Sequence, residues 1–130
     1  MWVIQRFEPA STAYNVPIAI RLRGAFDPAL CQQALDAMVQ RHEGLRTSFV
    51  MGEHEPMQSI VPALAVPIEQ IDLSRLPERE RNSQARVLLA ERAAQPFDLS
   101  QAPLHRPTLI RLGEREHVLF WVLHLSLIHI

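Results

Sequence analysis

The sequence predicts a mixed α/β fold, with helices set among the strands of a sheet rather than a doubly wound parallel sheet. Three observations carry this. Residues 15–23 alternate strictly and place Val16, Ile18, Ile20 and Leu22 on one face of a strand. Residues 28–41 instead space their apolar side chains by three and four, the period of a helix. The chain then closes on two strand-like runs, 108–112 and 117–123, so strands and helices do not take the regular turns that a doubly wound sheet requires.

The elements follow in order. A fragment of helix precedes the first strand, which is half-buried and ends at Gly24. Asp27 before Pro28 is a helix start: the carboxylate caps free amides, and proline at the first helical position gives up a donor that had no partner. Leu30, Ala34, Leu35, Met38 and Val39 form the expected inner stripe of helix 28–41, with Cys31 buried at its edge and Asp36, Gln40 and Arg41 toward solvent. Residues 47–51 and 57–61 flank the polar break 52–56, which contains Gly52 and Pro56, and read as an antiparallel hairpin. Residues 66–71 give a weaker strand, and Pro67 suits it to an edge. A helix over 77–94 carries Glu78 and Glu80 in its first turn, an inner face of Ala85, Leu88, Leu89 and Ala93, and a stop at Pro96. A turn at Gly113-Glu114 joins the last two strands, and the second, apolar on both faces, reads as central.

Composition narrows the function. The 130 residues are 48% hydrophobic and 21% charged, which fits one domain or a piece of one. Thirteen basic against 14 acidic side chains leave a net charge of -1, with no basic field to gather nucleic acid or anionic lipid. All 13 basic residues are arginine, so Schiff-base, phosphate-cradle and nucleophilic lysines are excluded. The lone Cys31 excludes an internal disulfide and fits a reducing compartment. The opening residues run opposite to a secretory signal, and no apolar run approaches the ~18 residues of a membrane span, so a cytoplasmic chain is expected.

Most reactive side chains sit in patterns without chemistry. No serine lies in a Gly-x-Ser-x-Gly elbow, and four glycines in all leave no nucleotide fingerprint or phosphate loop. His124, directly after the apolar strand, is open between a satisfied strand-end residue and a catalytic base or ligand. His129 lies five residues on, a spacing that faces one side of neither strand nor helix, so no metal pair is expected. His42, His54, His105 and His117 are scattered and read as surface or capping residues. The segment Arg41-His42-Glu43-Gly44-Leu45-Arg46-Thr47-Ser48-Phe49 is denser, with two guanidiniums, an imidazole and a carboxylate in six residues at a helix C-terminus. By itself it is explained as an arginine-anchored corner between helix and strand.

That nonapeptide resembles the Arg-His-Glu-x-Leu-Arg-Thr-x-Phe signature of condensation domains of nonribosomal peptide synthetases. Met1-Trp2-Val3-Ile4 with Phe7-Glu8-Pro9 is similar to the end of that family's opening motif, and Tyr14-Asn15-Val16-Pro17 through Arg21-Leu22-Arg23-Gly24 to its first strand. Pro96-Phe97-Asp98-Leu99 with Ala102-Pro103-Leu104 resembles its Pro-Phe-Asp-Leu-x-x-Gly-Pro-Leu segment, with Ala102 in place of the usual glycine. Glu116-His117-Val118-Leu119 then resembles the strand that leads into the catalytic motif.

The resemblance implies a chloramphenicol acetyltransferase-like fold of two lobes, of which residues 1–124 are most of the N-terminal one. Such domains join an acyl or peptidyl thioester to the amine of an aminoacyl thioester, both carried on the phosphopantetheine of partner carrier proteins, with no bound cofactor or metal of their own. The implied partners are those carriers and the missing C-terminal lobe, with no nucleic acid and no membrane. Of the family's His-His-x-x-x-Asp-Gly motif, His124 matches the first histidine, but Leu125 stands at the second, His129 at the aspartate and Ile130 at the glycine. Leucine neither accepts a proton nor donates a hydrogen bond, so the fragment is expected to be inactive. Arg41, His42, Glu43 and Arg46 carry over as motif residues, and Arg46, which resembles the aspartate-pairing arginine, is expected to lack its partner. Alternatives are an epimerisation domain or another acyltransferase of the same superfamily, His124 arguing against a heterocyclisation domain, or a non-catalytic carrier-binding module.

Residues 125–130 depart abruptly from the family pattern and are expected to be a non-native tail of adapter or read-through sequence, with the true start upstream of Met1. Sequencing the source locus across the His124 codon tests this, and an uninterrupted reading frame through Ile130 refutes it. A lobe cut after a central strand is also expected to expose apolar sheet edge and to self-associate.

Overall fold

A computed structural model describes residues 14–127. The expected opening helix fragment lies outside the described residues, as do His129 and Ile130. The elements are β1 (Asn15–Arg23), α1 (Pro28–Arg41), a 3₁₀ turn (Glu43–Arg46), β2 (Thr47–Met51), β3 (Pro56–Ile60), β4 (Glu69–Asp72), α2 (Glu78–Ala93), β5 (His105–Gly113), β6 (Glu116–His124) and a second 3₁₀ turn (Leu125–Leu127). β1, β6, β5 and β4 form one sheet in that order, and β2 with β3 a separate two-stranded ribbon. β6 is antiparallel to both neighbours, whereas β4 runs parallel to β5 because α2 carries the chain across between them.

The two helices cover opposite faces of the four-stranded sheet. Leu35 and Val39 of α1 pack with Val66, Ile68 and Leu109, with Leu119 and Trp121 against them. Residues of the opposite parity, Ile110, Leu112 and Val118, pack with Ala85, Leu88 and Leu89 of α2, and Phe120 and Val122 with Phe97, Leu99 and Leu104. β6 is apolar on both faces because both are covered, and it is central as expected.

Local chemistry sets several boundaries. The Asp27 carboxylate accepts from the Ala29 amide at 2.9 Å and starts α1. Asp27→Ala is expected to cost about 1 kcal/mol in a denaturant melt. Gly24 ends β1 at φ +114°, a conformation that L side chains rarely adopt. β4 begins only after Pro67, three residues later than the apolar pattern indicated. β5 runs three residues farther toward its N-terminus than expected and contains Pro107. The backbone bond from His124 N to Leu104 O sets the parity of that ladder, and it turns Pro107 away from β6, toward the side where β4 has not begun.

Several burial expectations need correction. The α1 stripe is narrower than its periodicity indicated: Leu35 and Val39 are buried, but Leu30, Ala34 and Met38 are exposed. Cys31 is half-buried, and burial raises its thiol pKa. Ile18 and Ile20 are exposed, because β1 lies at the sheet edge beyond the cover of α1. Among the described residues the free sheet edges accordingly belong to β1 and β4, and β6 is flanked on both sides. Among the described residues no helix is long and apolar enough to cross a membrane.

Candidate functional site

The arginine-rich segment folds as the corner between α1 and β2. His42 leaves helical geometry, Glu43–Arg46 make a single 3₁₀ turn, and Thr47 opens β2 with its hydroxyl donating to Glu43 O at 2.7 Å. Arg46 is buried and donates three times to backbone carbonyls: Nε to Val39 O at 2.9 Å, Nη1 to Val61 O at 2.5 Å and Nη2 to Gln40 O at 3.2 Å. Val61 returns a backbone bond to Arg46 O. One guanidinium thus satisfies carbonyls at the C-terminal end of α1 and ties them to the exit of the β3 strand, where its charge also suits the helix dipole. These carbonyls are the partners of Arg46 among the described residues, and position 129, where the family has the pairing aspartate, lies outside them. Arg41, His42 and Glu43 point to solvent.

The corner sits against the end of β6. Residues of the corner, from Arg41 to Leu45, line a cleft with Met38, Trp121, Leu123 and Leu127. Beneath it runs a polar link that the sequence did not reveal. The Trp121 indole Nε1–H donates to His105 Nδ1 at 2.9 Å, so the His105 proton sits on Nε2, which donates to Leu45 O at 3.0 Å. His105 is 0% exposed, not a surface residue, and burial lowers its pKa. The only signal in the sequence was its place at the head of an apolar strand, and the strand's early start was itself missed.

His124 ends β6 on the opposite face, with the parity of Phe120 and Val122. It is 0% exposed, its ring 6.2 Å from Phe97 edge-on and 6.4 Å from Tyr14. Its Nδ1 accepts from the Ser126 backbone N–H at 3.1 Å, with Ser126 Oγ at 2.8 Å, so the neutral ring carries its proton on Nε2. That Nε2 is buried with no hydrogen-bond partner among the described residues. Burial lowers the His124 pKa. Through Nδ1 the ring therefore caps the 3₁₀ turn that follows. Leu125, half-buried, donates its backbone N–H to Tyr14 O at 2.7 Å and supplies no side-chain proton chemistry.

The segment 96–104 joins these parts. Phe97, Leu99 and Leu104 fill the core below β6, Leu99 O accepts from Phe49 N at 2.7 Å, and Leu104 O accepts from His124 N at 2.9 Å. The Arg106 guanidinium lies 4.0 Å over the Phe97 ring. His117, buried rather than a surface residue, packs its ring at a tilt against Phe26 at 4.9 Å, with its pKa lowered by burial. Among the described residues no group of His, Cys, Asp and Glu is placed to hold a metal ion.

The corner, the closing strand and the 96–104 segment are thus three sequence-distant motifs locked to one another, and the sequence model of the condensation domain family matches residues 1–128. The chain belongs to the condensation domain family. It is 45% identical over 124 residues to a linear gramicidin synthase of Brevibacillus parabrevis, covering 95% of this chain and 2% of that protein. It is 37% identical over the same length to phosphinothricin tripeptide synthetase PhsC of Streptomyces viridochromogenes, covering 95% of this chain and 11% of that one. Among solved structures, the first condensation domain of the calcium-dependent antibiotic synthetase, in complex with a substrate analogue, superposes with a TM-score of 0.85 at 25% identity. The starter condensation domain of rhizomide synthetase RzmA superposes with a TM-score of 0.85 at 22% identity. Both matches cover 95% of this chain but only 30% and 31% of those chains. The fold is the expected chloramphenicol acetyltransferase-like one in part, and this condensation-domain chain is a fragment measured against its relatives.

Proposed function

We propose that this chain forms part of the wall of an amide-forming site in a nonribosomal peptide synthetase and does not form amides alone. The parent reaction joins a carrier-bound acyl or peptidyl thioester to the amine of a carrier-bound aminoacyl thioester. The observation that carries the reading is the end of β6: the strand delivers His124 into a buried capping role and the next side chain, where the family motif has its second histidine, is Leu125. A positioned acid–base side chain is worth about 10²–10⁴-fold in rate, and none stands here. The partners of this reading are carrier proteins bearing phosphopantetheine thioesters and a second lobe. Neither a resident cofactor nor a metal enters it.

Amide formation from two loaded carrier proteins, followed by mass spectrometry, tests the reading. A complete condensation domain is expected to turn over while this chain gives no product above the uncatalysed reaction. Measurable turnover by the chain alone overturns the proposal. Titration with unloaded carrier distinguishes a carrier-binding module, which would bind by itself, from a fragment that needs its second lobe.

A further inference from the structure

We infer that the chain pairs with a second copy of itself along the free edge of β1, antiparallel and centred on Ala19. The direction of the backbone groups is fixed by two bonds at the ends of the strand. Leu125 N–H reaches Tyr14 O at 2.7 Å and Gly24 N–H reaches Arg115 O at 2.8 Å. Both continue the register that sets Val16 opposite Leu123 and Leu22 opposite His117. Even-numbered residues of β1 therefore turn their backbone groups to β6, and Asn15, Pro17, Ala19, Arg21 and Arg23 turn theirs outward. No strand among the described residues takes those outward groups.

The edge is self-complementary about Ala19, the midpoint of the nine-residue strand. A two-fold axis there sets Ile18 of each copy opposite Ile20 of the other. These two side chains are 41% and 46% exposed on the face that α1 leaves open, so four isoleucines close into one apolar cluster. Charge agrees with this register. Arg21 meets Pro17 and Arg23 meets Asn15, no like charges are opposed, and Arg21 is already held by Glu116 of its own chain. Moving the axis to Arg21 would oppose two guanidiniums. Pro17 withholds one outward donor per copy, which weakens the pairing, and the two-fold contact closes because it uses the β1 edge of both copies.

Sedimentation equilibrium of the 130-residue chain tests this. A strand-edge contact of this length lies below the ~1,200 Å² of standard interfaces, so the series spans about 1–500 μM. The mass is expected to rise from 14.8 kDa toward twice that value and no further. Ala19→Pro removes the outward N–H at the axis and leaves the β6 side intact, and is expected to weaken dimerisation at least about tenfold with an unchanged circular dichroism spectrum. Ile20→Lys, which tests the side-chain cluster without touching the backbone, is expected to do the same. A chain that stays monomeric throughout, a mass that climbs past two copies, or variants that dimerise like the parent overturn the inference.

Discussion

Replacing Arg46 by alanine is expected to lower the unfolding free energy by about 3–5 kcal/mol, because three carbonyls lose charge-assisted donors in a buried site. For a domain of this size that is a fall in Tm on the order of 15 °C. Val39 O and Gln40 O belong to the last turn of α1, whose carbonyls have no partner within the helix, and Val61 O lies beyond β3. Alanine reaches none of them. Arg46→Lys is expected to recover less than half of the loss, since one ammonium lacks the planar fork that spans three directions. Urea melts of the three proteins measure this, and a cost below about 1 kcal/mol for Arg46→Ala would show that water replaces the guanidinium without penalty.

The second large effect is acid sensitivity. Burial holds His105, His117 and His124 neutral in the folded chain, with each pKa below its ordinary value. The unfolded chain takes up protons on these residues near pH 6.5, before the folded chain does, so acidification favours unfolding. Stability is full above that pH and is lost as pH falls toward the depressed folded pKa values. Each histidine protonated only in the unfolded state adds up to about 1.4 kcal/mol per pH unit to the slope. Among the described residues His105 is the one of the three with hydrogen bonds at both ring nitrogens. Its Nδ1 accepts from the Trp121 indole, and a proton there would set two donors against each other. The unfolding free energy, measured between pH 8 and pH 5, is expected to fall steeply below about pH 6.5, and His105→Phe to make that fall shallower. A stability that is flat across this range would show that the three rings are protonated in the folded chain at no cost.

The proposed β1 dimer is separable from both effects. Neither Arg46 nor the three histidines lies on the outward edge of β1, so a destabilised variant that remains folded keeps the register proposed for the second copy.

Much of the site was legible as sequence but not its connections. The corner at 41–49 was visible as charge at a helix end, and its reading as an arginine-anchored turn describes what Arg46 does. The histidine at 124 was visible as the residue after an apolar strand, yet its role as a cap on the following turn depends on the position of the Ser126 amide. His105 reads as a surface or capping residue in the sequence because nothing within a few residues marks it as buried. Its partners, Leu45 and Trp121, are 60 and 16 residues away in the chain.

The sequence alone determined the order and approximate place of the strands and helices, though not where β4 and β5 begin, since period-two and period-3.6 patterns, an Asp-Pro start and the glycine and proline breaks act over a few residues. It also determined that position 125 brings no acid–base group, because a leucine side chain lacks a proton to move in any fold. Only the tertiary structure decided which apolar faces are covered. Ile18 and Leu35 look alike in their local patterns, and one is exposed while the other is buried because α1 crosses the centre of the sheet and not its β1 edge. Burial is set by neighbours distant in the chain, and local periodicity carries no record of them.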